Sequence, residues 1–268
     1  MTVLSEIKNF LSTITDWLLL LLIFTVFFFT CNIETVSVFG RLTILPVPTS
    51  PSFAAEFFSM LVSDIAPVHI PLIVTSPMTA FVVQVKLSFL LSFFFTFPVF
   101  LYRLISYLSP ALYVYEQRLI YKLLIPLTLL FFGGVYFSYV TIAPSTLSVL
   151  YTFAVPIGAT SLLGVSEFVG ITIALLVSAG VTFTVPVFMV LLTALKAVRA
   201  MFWVENARYA FVLFLVASAI ITPDGSGVSM MLLSLPVSVL YGAGALVCAR
   251  VERVGNQEYK KMHTILKS

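Results

Sequence analysis

The chain has 268 residues, of which 60% are hydrophobic and 9% are charged, and its formal net charge is +3. Soluble domains carry about a quarter charged residues, so this composition excludes an ordinary soluble protein and indicates that a lipid bilayer is the solvent. Two cysteines are too few for a disulfide framework or a zinc site. The small net charge does not indicate any particular partner.

Long apolar runs predict the membrane spans, because a bilayer core needs about 20 helical residues to cross it. Six runs qualify as spans: residues 15–34, 79–105, 119–142, 168–195, 207–222 and 229–248. We therefore predict an all-α integral membrane protein with six transmembrane helices. Its parts are a cytoplasmic N-terminal segment (1–14), a transmembrane domain (15–250) and a cytoplasmic tail (251–268).

The first apolar run has an alternative interpretation as a secretory signal peptide. However, the preceding sequence MTVLSEIKNF is not basic, and FFFTCNIE lacks a small-residue cleavage site. We predict that this helix is retained. The fifth run is short, about 24 Å at 1.5 Å per residue, so it is expected to thin the bilayer locally or to be shielded by neighbouring helices.

The distribution of lysine and arginine predicts the orientation of the chain in the membrane. Twelve of the fourteen lie at the N-terminus, in the second and fourth connections or in the tail, whereas Arg41 and Lys86 lie on the other side. Cationic residues concentrate on the cytoplasmic side. Both ends of the chain are therefore expected to be cytoplasmic, which also favours an even number of spans.

The outer connection between the first two spans is rich in proline. Six of the fourteen prolines lie between residues 36 and 77, a density that argues against a long regular element there. Within it, the pattern of SFAAEFFSMLVSDI predicts a short amphipathic helix. We expect this helix to cap the outer face or to lie at the membrane interface.

The segment SPALYVYEQR, residues 109–118, is predicted to be the cytoplasmic turn between the second and third spans. Pro110 ends the preceding helix, because the residue before a proline is disfavoured in the α conformation. Two interpretations of its charges remain open. In the first, Arg118 is a topology signal and Glu116 is its solvated neighbour. In the second, Glu116 is a carboxylate held in place to bind a cationic ligand.

A series of motifs in the chain resembles the TatC family, the multi-spanning receptors of twin-arginine protein translocation. In chain order these are FPVFLYRLISYLSPALYVYEQR, LLFFGGVYFSYVTIAPS, AGVTFTVPVF, ARYAFV, and ITPD followed by LPVSVLY. Each motif alone has little specificity. Five of them in the right order, between spans of the right topology, make the resemblance specific, and it covers residues 79–250.

The resemblance implies a receptor that binds a twin-arginine signal peptide on its cytoplasmic face. Arginine guanidinium groups pair bidentately with carboxylates, so the receptor needs fixed acidic side chains there. Glu116 matches the loop glutamate of the family, and Arg118 and Tyr113 are expected to orient and shield it. The segment VLSEIKNFL keeps Glu6 and has Lys8 where the family has arginine, which implies a second carboxylate at the N-terminus.

The resemblance also implies structural and partner-contact positions and a concave, glove-like bundle of kinked helices. The implied positions are Lys86, Pro98, Pro110, Pro186, Arg208, Pro223 and Asp224. Single-span partners of the TatA and TatB type are expected along the fifth and sixth helices, and the assembly is expected to be oligomeric. Thr184 and Gly242 stand where many family members have glutamate, so the chain is expected to be a divergent member.

The sequence offers little support for other function classes. A small-molecule transporter or channel, the alternative, predicts mid-span ionisable residues and internal repeats, and we find neither. No Walker, H-E-x-x-H or G-x-S-x-G motif is present. We therefore expect no enzymatic activity, cofactor, metal or nucleic-acid partner, and a proton gradient as the energy source that the family implies. The bacterial inner membrane is the expected location, with an organelle inner membrane as the alternative.

Overall fold

A computed structural model describes residues 3–38, 41–47, 51–66, 72–74, 76–108, 114–152, 163–222 and 227–265. Helices dominate this part of the chain. They are α1 Val3–Thr30, α2 Phe53–Ile65, α3 Pro77–Leu108, α4 Val114–Phe137, a π-helical turn Ser138–Ile142, α5 Ala143–Thr152, α6 Val165–Phe183, α7 Val185–Ala194, α8 Ala200–Glu205, α9 Ala207–Ile221 and α10 Gly227–Ile265. The short strands are β1 Asn32–Val38, β2 Arg41–Val47, β3 Leu72–Ile73 and β4 Leu163–Gly164.

Five helical stretches in the described residues are long and apolar enough to cross a membrane. These are Leu11–Thr30, Pro77–Tyr107, Ile120–Leu150, Val165–Ala194 and Ser229–Arg253. A sixth apolar helix, Ala207–Ile221, is shorter. The predicted helical, multi-span membrane protein is confirmed, and the sixth crossing and the orientation stay predictions.

The connection between the first two spans differs from the prediction. The first span was expected to continue to residue 34, but α1 ends at Thr30 and β1 begins at Asn32. β1 and β2 then form an antiparallel hairpin with Asn32 opposite Val47 and Val38 opposite Arg41. The β-branched residues on both strands favour this pairing, and Pro46 is tolerated because a two-stranded hairpin has free edges. The predicted amphipathic helix is confirmed as α2.

The third span is longer than predicted. It was expected to end at Ile142, with Pro144 in the following connection, but the helix continues through Pro144 to Thr152. The π-helical turn accounts for this difference, because the Ala143 N–H donates to the Ser138 carbonyl five residues back. Such a widened turn accommodates a proline that would otherwise clash with the preceding turn of an α-helix.

Prolines lie inside or at the ends of the spans where kinks were expected. Pro98, Pro126 and Pro236 lie within α3, α4 and α10. Pro186 lies at the start of α7, directly after the break at Thr184 that separates α6 from α7. Pro186 adjoins a break in the helix, whereas Pro98, Pro126 and Pro236 lie within helices that continue past them. The predicted kinks and the concave shape stay predictions.

The chain divides into two compact units, Met1–Ser109 with Leu150–Ile173, and Pro110–Val149 with Ala174–Ser268. In the first unit, α1 lies antiparallel along α3, as the Ser92 hydroxyl donating to the Leu21 carbonyl at 2.6 Å shows. Aromatic pairs extend this contact, with Phe24 4.6 Å from Phe95 and Phe29 5.7 Å from Phe81 between ring centroids. Buried hydroxyl and aromatic contacts of this kind stabilise helix pairs in lipid.

The second unit is organised around α10, which packs against α7, α8 and α9. A buried cluster joins these helices, and it includes Met189, Phe214, Val237, Tyr241 and Cys248. The Tyr241 hydroxyl donates to the Trp203 carbonyl at 2.8 Å, and the Trp203 indole donates to the Thr193 hydroxyl at 2.9 Å. These two hydrogen bonds fix the short helix α8 to α7 and to α10.

Two adjacent glycines on α4 differ sharply in their surroundings and give a stability prediction. A Cβ at Gly134 would lie 2.7 Å from the Ala179 carbonyl oxygen, whereas a Cβ at Gly133 would meet nothing within 4 Å. We expect Gly134→Ala to destabilise the fold by about 1–3 kcal/mol through overpacking. Gly133→Ala is the matched control and should be neutral or slightly stabilising, because alanine is favoured over glycine in a helix.

The measurement is the thermal midpoint of both variants in the same detergent as the unmodified chain. We expect a lower midpoint for Gly134→Ala alone. Equal midpoints for the two variants would contradict the close approach of α4 and α6.

Candidate functional site

The predicted signal-binding residues fall on the ends of two helices. Glu6 and Lys8 lie near the start of α1. Glu116 and Arg118 lie at the third and fifth positions of α4. The side chains of all four lie outside the described residues. α1 and α4 belong to different compact units, so each end is considered separately.

The backbone around Glu116 corrects one sequence-based prediction. We predicted a turn through Arg118, but α4 begins at Val114, so Glu116 and Arg118 are helical. Glutamate, glutamine, arginine and leucine are good helix formers, and the run EQRL starts the helix before the apolar span begins. A carboxylate in the first turn is favoured by the helix dipole. Pro110 and Tyr113, which were expected to shape this site, lie outside the described residues.

An ion pair near the start of the first span was missed by the sequence analysis. The Arg103 guanidinium on α3 donates to the Asp16 carboxylate on α1 at 3.2 Å, and both side chains are about half exposed. From the sequence, Arg103 was interpreted only as one of the cytoplasmic cations, and Asp16 had no predicted role. The sequence did contain a signal for this ion pair. An acidic residue lies near the start of one span and a basic residue near the end of the next, and consecutive spans are antiparallel.

Aromatic residues close to this ion pair in the sequence pack between α1 and α3. The Trp17 and Phe100 ring centroids are 4.5 Å apart, and Phe93 packs edge-on to Trp17 at 6.4 Å. The Trp17 indole nitrogen is buried and has no hydrogen-bond partner among the described residues. A buried indole N–H usually finds an acceptor, so this donor lacks its usual partner.

The predicted structural and partner-contact residues have varied environments. Pro186 is buried, and a Cβ at Gly244 of α10 would lie 2.9 Å from its side chain, so α7 and α10 approach closely there. Lys86 is exposed on α3. The Arg208 guanidinium lies over the Tyr209 ring, 4.7 Å from its centroid. Pro223 and Asp224 lie outside the described residues.

Among the described residues of its unit, none covers one face of helix α9. The exposed apolar side chains follow helical spacing: Tyr209, Val212, Leu213, Val216 and Ile220. Phe214 and Ser218 lie on the opposite, buried face. Among the described residues, no group of three or more His, Cys, Asp or Glu residues could hold a metal ion.

This arrangement of long apolar helices defines a multi-pass integral membrane protein. The family model for the Sec-independent protein translocase protein (TatC) matches residues 3–236. The chain therefore belongs to the TatC family of Sec-independent protein translocase proteins.

Individual relatives and solved structures agree with this assignment. A TatC protein of Cenarchaeum symbiosum is 33% identical over 85% of this chain and 87% of the relative, and one of Haemophilus influenzae is 32% identical over 72% of this chain and 74% of the relative. A crystal structure of a twin-arginine translocase receptor, TatC, shares the fold with a TM-score of 0.71 at 24% identity, over 92% of this chain and 99% of that one. These matches do not favour the transporter or channel alternative.

Proposed function

We propose that this chain is the twin-arginine signal-peptide receptor and core scaffold of a translocase that exports folded proteins. The observation that carries the proposal is membership of the TatC family over residues 3–236. The fold shared with a crystallised twin-arginine translocase receptor supports it. The receptor role is one of binding and assembly, without catalysis, and the proton gradient supplies the energy for transport.

The recognition chemistry in this proposal rests on two carboxylates at helix starts. Glu116 on α4 binds one arginine of the signal, and Glu6 on α1 binds the other. Charge-assisted hydrogen bonds between guanidinium and carboxylate are roughly twice as strong as neutral ones. Arg118 and Lys8, two residues after each glutamate, position these carboxylates, and Tyr113 shields the Glu116 contact from water.

We also propose an orientation for the chain in the membrane and partners with which it assembles. Both ends face the cytoplasm, and single-span partners of the TatA and TatB type dock on α9 and α10. α9 has 15 residues, about 22 Å of helix at 1.5 Å per residue, which is shorter than a bilayer core of about 30 Å. A short helix there thins the bilayer next to the docked partners. The membrane in the proposal is the bacterial inner membrane.

The experiment that tests the receptor role is peptide binding to the purified full chain in lipid nanodiscs. We expect a twin-arginine signal peptide to bind at least ten-fold more tightly than the same peptide with twin lysine, because lysine cannot pair bidentately with a carboxylate. Equal affinities for the two peptides would remove the basis for twin-arginine recognition.

A further inference from the structure

Arg103, which pairs with Asp16, lines a narrow crevice between α1 and α3. The crevice is lined by residues that include Ile14, Trp17, Phe100, Arg103, Leu104 and Tyr107. Most of the lining side chains are apolar, and Thr13 and Arg103 are the polar exceptions beside the hydroxyl of Tyr107. Trp17 is part of the lining, and its buried indole N–H has no hydrogen-bond partner among the described residues. Both helices are within their apolar, span-forming stretches here, so the crevice lies in a part of the chain suited to contact lipid.

The position along the helices indicates the depth of the crevice. Asp16 and Trp17 lie near the start of the Leu11–Thr30 stretch, and Arg103 and Tyr107 lie near the end of the Pro77–Tyr107 stretch. Tryptophan, tyrosine and arginine at the ends of spans lie at the level of the lipid headgroups. The crevice is therefore at the height where headgroup and acyl chain of one lipid meet.

The charges at the crevice select among lipids. An anionic headgroup offers a phosphate to Arg103 but leaves the Asp16 carboxylate without a cation. A headgroup with a phosphate and a primary ammonium matches both members of the ion pair. The ion pair is joined by a single contact at 3.2 Å, and about half of each side chain remains exposed, so both groups have free surface for a second partner.

We propose that this crevice is a binding site for one zwitterionic phospholipid of the phosphatidylethanolamine type. The phosphate accepts hydrogen bonds from Arg103 and from the Trp17 indole N–H. The ammonium donates to the Asp16 carboxylate. The upper part of one acyl chain lies against Ile14, Phe100 and Leu104. The lipid proposal does not depend on the carboxylates proposed to bind the signal peptide.

The first test compares lipids on the unmodified protein. Native mass spectrometry of the full chain, titrated with phosphatidylethanolamine, phosphatidylcholine and phosphatidylglycerol of identical acyl chains, measures the affinity for each. We expect phosphatidylethanolamine to bind about ten-fold more tightly than the others, as for one hydrogen bond to a charged group. Phosphatidylcholine keeps the phosphate, but its quaternary ammonium cannot donate to Asp16. Equal affinities for the three lipids would overturn the proposal.

The second test uses variants that separate the contacts. Trp17→Phe removes the indole N–H but keeps a ring against Phe100, and we expect it to weaken phosphatidylethanolamine binding several-fold. Asp16→Asn should reduce the preference over phosphatidylcholine. Arg103→Gln should weaken binding of all three lipids. Lys122→Gln is the matched control, because Lys122 is an exposed cation on α4 in the other unit, and it should leave binding unchanged.

Thermal midpoints in detergent verify that each variant is folded, and the lipid comparison on the unmodified chain stands without them. The last measurement is the binding of a twin-arginine peptide to the same variants. If Trp17→Phe weakens peptide binding while lipid binding is unchanged, the crevice belongs to the signal peptide and the lipid assignment is wrong.

Discussion

Replacing Glu116 with glutamine is expected to weaken twin-arginine peptide binding by roughly ten-fold or more, as for one hydrogen bond to a charged group. Glutamine keeps the shape of the side chain and its helix-forming tendency, but it removes the charge that a guanidinium needs. Glu116→Asp should have a smaller effect, because its carboxylate is one methylene shorter. The measurement is the affinity of the twin-arginine peptide for each variant in nanodiscs.

A matched control distinguishes a specific contact from a general change in surface charge. Glu205 is an exposed glutamate at the end of α8, and Glu205→Gln removes the same charge from another helix. We expect Glu205→Gln to bind the peptide like the unmodified chain. If Glu116→Gln also binds like the unmodified chain, the charges at the start of α4 act as a topology signal and the receptor contact lies elsewhere.

Photo-crosslinking from α9 is expected to give an all-or-none contrast between adjacent positions. A photoreactive phenylalanine analogue at Leu213, whose side chain is 64% exposed, should capture a single-span partner. The same analogue at Phe214, which is 8% exposed and packs on Tyr241 with ring centroids 5.8 Å apart, should not. Because a docked helix replaces lipid on the outward face, the contrast reports which face it covers.

Co-expression of the full chain with TatA- and TatB-type proteins supplies the partners for this experiment. Ile220 is 80% exposed and serves as a second outward position, one to two turns further along the helix. Equal capture from Leu213 and Phe214 would indicate a disordered helix, and capture from neither Leu213 nor Ile220 would place the partner on another span.

The sequence predicts the spans well because a bilayer needs a long apolar helix wherever the chain crosses it. It predicts element ends less well. Pro46 and its neighbours argued against regular structure, yet Pro46 lies opposite Ile33 in the hairpin. The prediction relied on the number of prolines and neglected the β-branched residues on either side of Gly40. Those β-branched residues favour strand pairing, and a two-stranded hairpin tolerates proline because its edges are open.

For the candidate sites too, some residues can be predicted from the sequence and others only from the packing. The resemblance predicts Glu116 and Glu6 from short local motifs, and that prediction needs no knowledge of the packing. The Asp16–Arg103 pair joins residues 87 positions apart. Neither residue stands out in its own segment, and only the antiparallel packing of α1 on α3 brings them together. The outward face of α9 likewise requires the position of α10, since periodicity alone does not distinguish Leu213 from Phe214.

The π-helical turn sets the rotational phase of the third span. Phe131 and Gly134 are buried before it, Ser138 and Ile142 are buried at its two ends, and Ala143, Thr146 and Leu147 are buried after it. Extending the first series at 3.6 residues per turn would instead bury positions 145 and 149. The widened turn accommodates one extra residue. The buried positions after the turn are therefore shifted relative to the 3.6-residue spacing before it, and both halves of the helix still face the core. A single-residue deletion in this turn would rotate everything beyond it by about 100° and expose the buried side of α5.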